Sequence, residues 1–100
     1  MERVKLSRHA REDRLERLAS CLERFGLGEV IATQHIPQRH TYEKLTSTGL
    51  VLIEGENGVI VTGFLATATR ARSIYVNAHN EEPPQWFLSM VSINRRKLRG

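Results

Sequence analysis

The chain has 100 residues, 40% of them apolar and 26% charged, which is the balance of one globular domain and not of a disordered segment. Fifteen Lys and Arg oppose eleven Asp and Glu, for a formal charge of +4. All but Lys5, Lys44 and Lys97 of these bases are Arg, a bias that favours forked contacts to phosphate or carboxylate. The lone Cys21 makes no internal disulfide, no Cys/His set has zinc-site spacing, and every apolar run is well short of the ~20 residues needed to cross a bilayer. The charged N-terminal stretch has no apolar signal region, so the expectation is a cytoplasmic protein with no membrane association.

In chain order the first predicted element is a helix over 7–25. Leu15, Leu18, Ala19, Leu22 and Phe25 recur at three- and four-residue steps, Ser7 is its candidate N-cap, and Phe25-Gly26 is its stop. At 100° per residue His9, Asp13, Glu16 and Ser20 share the opposite, wet side. Residues 29–65 read as sheet. A β-branched run from Glu29 ends at Pro37, Thr41–Thr46 is a weaker strand, and Leu50–Glu54 and Val59–Phe64 flank Gly55-Glu-Asn-Gly58. Asn57-Gly58 suits a two-residue type I′ turn, a register that sets Ile53 opposite Thr62 and Val51 opposite Phe64. Apolar residues on both faces make these two the central strands. Over 67–79 helical spacing competes with a short strand at Arg72–Val76, with helix slightly preferred. A last helix over 81–98 begins at Asn80 or Glu81, with Pro83 and Pro84 in its first turn and a basic end. The fold class is therefore α+β: a long N-terminal helix on a three- or four-stranded antiparallel sheet, with one or two C-terminal helices.

The sequence contains no Walker loop, GxGxxG, HExxH or GxSxG motif, so nucleotide hydrolysis, dinucleotide chemistry, zinc proteolysis and α/β-hydrolase chemistry lack support. The acidic residues are read on helices and turns, with no pair that spans a substrate. RNA cleavage asks for less: the ribose 2′-OH is the nucleophile, and the protein supplies a base, an acid and positive charge. Of the four histidines, His9 stands out, because Asp13 one turn on is placed to orient its ring and Arg8, Arg11, Arg14 and Arg17 add positive potential. A solvated histidine on an Arg/Glu-laced helix is the competing reading. His35 and His40 flank Pro37 without a nearby carboxylate or thiol in sequence, so they read as loop histidines rather than metal ligands. Thr62, Arg70 and Arg72 are candidates to line the open face of the hairpin, against the alternative of an ordinary β-former and two solvated arginines. Arg95, Arg96, Lys97 and Arg99 exceed what the last helix needs for its dipole and suit phosphate contact.

Lys5-Leu-Ser-Arg-His-Ala10, with Glu12 and Arg17 following, resembles the opening helix of small RelE-like bacterial toxins of the barnase–EndoU–colicin–RelE superfamily, those with a Ser-x-His-Ala motif. Gly58-Val-Ile-Val-Thr62 is similar to a late strand of that group. The resemblance covers about Val4 to Tyr75 in layout. It implies a metal-independent endoribonuclease that needs no cofactor, acts on RNA and is neutralised by a cognate antitoxin. It makes His9 the acid/base group and Thr62 a ligand of the scissile phosphate. Arg17 matches the second Arg of the pattern, whereas the first falls on Asp13 here, with Arg14 one residue later. Arg70 and Arg72 enter on charge and location, Arg17 and Arg70 as stabilisers of phosphorane charge. Arg14, Arg72 and the basic end are expected to bind nucleic acid. Two other readings stay open: a non-catalytic nucleic-acid-binding module, and a phage or plasmid accessory protein that meets an acidic protein.

Overall fold

A computed structural model describes residues 5–6 and 15–99. Ser7, His9, Asp13 and Arg14 lie outside the described residues; Arg17 lies in a described helix and Arg99 ends another. The elements are β1 (Lys5–Leu6), α1 (Leu15–Phe25), β2 (Val30–Ile36), β3 (Thr41–Thr46), β4 (Leu50–Gly55), β5 (Val59–Leu65), α2 (Ala68–His79) and α3 (Gln85–Arg99). This is an α+β protein. The sheet runs β1-β5-β4-β3-β2, with β2 to β5 antiparallel neighbours and the two-residue β1 parallel to β5. Among the described residues, no helix is long and apolar enough to cross a membrane.

Each face of the sheet buries its own apolar set, because side chains alternate along a strand and paired residues share a face. Leu50 pairs with Leu65 and Leu52 with Gly63. This face meets α1: Leu50, Leu65, Cys21 and Phe25 form one cluster, and a Cβ on Gly63 would sit 2.7 Å from Leu18 Cδ1. Gly63 is the gap into which α1 fits. Val51, Leu45 and Ala32 face the other way, into a larger core with Ala71 and Ile74 of α2 and Phe87 and Val91 of α3. α1 stops at Gly26, whose φ of 74° and N–H bond to Leu22 O (2.8 Å) make the left-handed cap that glycine favours.

Three details depart from the expectations. Ile53 does pair with Thr62 and Val51 with Phe64, but Gly58 alone has φ > 0 in the turn, and Gly58 N–H bonds Gly55 O at 2.9 Å. The loop is thus a type I turn closed by a left-handed glycine instead of a type I′ turn. A bulge where Glu54 pairs with Ile60 restores the expected register further along. The stretch after Thr67 is helix, capped by the Thr67 hydroxyl, which accepts from Arg70 N. The last helix begins at Gln85, not near Glu81: Asn80, at φ 57°, is the C-cap of α2, and Pro84 keeps Pro83 out of helical backbone.

On edge strand β2, Ile31 O is bound by the imidazole of His79, the last residue of α2, at 2.6 Å.

Candidate functional site

The expected site residues fall into three places. Thr62 lies on the face that looks toward α2, in one cross-strand row with Ile53, Glu43 and Gln34. Arg70, at the start of α2, reaches down to this row and pairs with Glu43 Oε2, while Gln34 Nε2 donates to Glu43 Oε1 at 2.6 Å and its Oε1 accepts from Asn77 Nδ2 at 2.8 Å. The Glu43 side chain is 5% exposed and that of Arg70 44%. A strand glutamate beneath a helix is a feature the sequence reading missed, having placed the acids on helices and turns. Arg70 is therefore held down on one side by a buried carboxylate, with its outer side open.

Arg72 points elsewhere, into a two-pronged pair with Glu82 at 2.6 and 2.8 Å. A phosphate at Arg72 has to compete with that carboxylate.

The basic end of α3 forms the second place. Arg95 is only half a surface residue: its Nη1 donates to Leu65 O at 2.6 Å, and its Nε is buried without a partner. Arg96 and Lys97 are exposed, and Arg24 of α1 joins them by donating to Lys97 O at 3.0 Å. A pocket of about 330 Å3 opens beside them, lined by Thr67, Ala68, Ser92, Arg95 and Arg96. α3 carries no acidic residue along its length.

The third place is at the opposite end of β5, where the Pro37–Arg39 turn and the Gly55–Gly58 hairpin tip meet. Glu56 stands between two histidines: its Oε2 lies 2.6 Å from His35 Nε2 and its Oε1 3.4 Å from His40 Nδ1. The hydrogen bond from His35 is the main cause that holds the Glu56 carboxyl below the ordinary carboxylate range, with His40 adding to it. The arrangement is fixed from three sides. His35 stacks on Tyr42, its β3 partner, with ring centroids 4.6 Å apart. Glu56 N–H donates to His40 O at 3.0 Å, tying the two turns together. His40 takes φ 56°, ψ 40°, a left-handed conformation uncommon for a side-chain-bearing residue. Lys44 and Glu54, paired at 3.2 Å, lie farther along the same face. A pocket of about 410 Å3 adjoins, its lining including Arg39, His40, Thr41, Glu56, Asn57 and Val61. The sequence reading left His35 and His40 without a carboxylate; the β4–β5 hairpin supplies one from far along the chain. Among the described residues, no group of three or more His, Cys, Asp or Glu has an arrangement suited to a metal ion.

No family model matches the chain, and no curated protein or solved structure shows significant similarity to it.

Proposed function

We propose that this protein is a metal-independent endoribonuclease of toxin type, acting on RNA in the cytoplasm and held in check by an antitoxin protein. The observation that carries the RNA-directed part is the basic pole of α3. Arg24, Arg95, Arg96 and Lys97 gather around a pocket whose described lining holds no carboxylate, and the helix that presents most of them has no acid to neutralise them. Such a pole attracts a polyanion through its backbone without reading sequence. The cleaving part rests on the resemblance of the N-terminal segment, which gives proton transfer to His9, phosphorane charge to Arg17 and Arg70, and the scissile phosphate to Thr62. Thr62 and Arg70 share a face of the sheet, which supports giving both to one phosphate-binding surface.

The basic pole by itself also fits a binding module without chemistry, and one experiment separates the two. Purified protein is incubated with single-stranded RNA at several salt concentrations, following both retention and breakdown. The double variant Arg96→Ala, Lys97→Ala is expected to weaken binding and to flatten the log–log salt slope by about 1.4, at roughly 0.7 for each phosphate the protein no longer neutralises. His9→Ala is expected to keep RNA affinity and lose cleavage. Intact RNA after prolonged incubation with the wild type refutes the nuclease reading and leaves the binding module. Removal of residues 95–100 is the poorer variant, since the Arg95 bond to Leu65 O helps seat α3.

A further inference from the structure

We propose that the His35–Glu56–His40 cluster is a proton-transfer centre for cleavage of an RNA phosphodiester seated in the adjoining pocket, with His40 as the catalytic residue. This rests on the RNA-cleaving reading, and it moves the chemistry from His9 and Thr62 to the tips of two turns. Four observations converge on the spot. An exposed imidazole, 81% accessible at its side chain, borders a pocket large enough for a nucleotide phosphate and its ribose. A carboxylate meets that imidazole through Nδ1, which leaves Nε2 as the nitrogen free to exchange a proton. A second imidazole, held by stacking on Tyr42, fixes the carboxylate from behind. Arg39 supplies a guanidinium on the same pocket wall. The left-handed backbone at His40 adds a cost that folded chains tolerate chiefly where a side chain has to be aimed.

The chemistry closes without a metal or an added reagent. His40 Nε2 takes the proton of the 2′-OH as the 2′-oxygen forms its bond to phosphorus. The bond from phosphorus to the 5′-oxygen breaks, its electron pair stays on that oxygen, and His40 returns the proton there. The products are a 2′,3′-cyclic phosphate and a 5′-hydroxyl. Glu56 compensates the imidazolium that exists between the two transfers, Arg39 meets the non-bridging oxygens, and His35 acts as a positioning residue on Glu56. Because the 2′-OH is the nucleophile, RNA is a substrate and DNA is not.

The test uses the purified full chain with a 5′-labelled single-stranded RNA of mixed sequence and its all-2′-deoxy counterpart. The expected result is cleavage of the RNA alone, to cyclic-phosphate ends. His40→Ala should lower kcat/KM by about 10²–10⁴-fold, the range for one general acid/base group. Glu56→Gln should lower kcat/KM less and move the acid limb of its pH profile to lower pH, because the carboxylate that favours the imidazolium is gone. A merely structural Glu56 would leave that limb in place. Both side chains are well exposed, and unchanged urea midpoints for the two variants exclude a folding explanation. Cleavage by His40→Ala within threefold of wild type overturns the inference and leaves the RNA-cleaving reading standing. A wild type that cuts no RNA overturns that reading, and the inference with it.

Discussion

Replacing Arg70 by Met and, separately, Glu43 by Gln should destabilise the protein unequally. Arg70→Met leaves the Glu43 carboxylate under α2 with Gln34 as its one remaining side-chain partner. Breaking a fully buried pair from one side costs roughly 3–5 kcal/mol. Glu43 is 5% exposed at its side chain, but Arg70 is 44% exposed, so water that follows the shortened side chain recovers part of the solvation. The expected loss is therefore about 2–3 kcal/mol, below the fully buried range. Glu43→Gln keeps the shape and one polar contact, and the released guanidinium turns outward, for a loss of about 1 kcal/mol. In urea, with a slope of roughly 1–1.5 kcal/mol/M, the first change moves the midpoint by about 2 M and the second by under 1 M. Equal shifts, or a larger one for Glu43→Gln, would refute the view that the arginine serves to neutralise a buried acid.

Two further outcomes are expected. Gly63→Ala sets a methyl 2.7 Å from Leu18 Cδ1 and 3.1 Å from Leu52 Cδ2, so α1 has to move; a loss of about 1–3 kcal/mol in a urea melt is expected, and an unchanged midpoint would mean that α1 seats loosely. Glu56 has a folded-state pKa below its unfolded value, so its contribution to stability is present above the ordinary carboxylate range and fades as pH falls through the depressed pKa. The midpoint difference between wild type and Glu56→Gln should then shrink on acidification from pH 6 to pH 3, and a difference that holds constant contradicts the pairing with His35.

The sheet was legible because its cues are local. β-branched runs, Pro37 and the glycines around Asn57 mark the strands and their turns, and cross-strand partners follow from counting outward from the hairpin. The turn type was not legible, because Asn57-Gly58 fits two of them and a compensating bulge gives both the same register further along. The helix start at Gln85 was missed because two consecutive prolines suit a first turn in composition, although the second excludes helical backbone at the first. The two charged clusters were illegible for a different reason. Glu43 meets Arg70 across 27 residues and His35 meets Glu56 across 21, so neither pairing leaves a periodicity in the sequence. A lone glutamate in a strand reads as solvated, and only the arrival of α2 makes it buried.

The bond from His79 to Ile31 O also bears on how the protein behaves in a crowded solution. β2 is the rim of the sheet, and a rim invites a second extended chain to add to it. Here one rim carbonyl is already taken by the end of α2, and the ladder beside it is irregular between Val30 and Ala32. At the far rim the short β1 occupies the first two positions of β5. An incoming strand at β2 would have to peel back the last turn of α2 before it could template on the sheet, so self-association through this rim is linked to partial opening of the helix and not to the native surface.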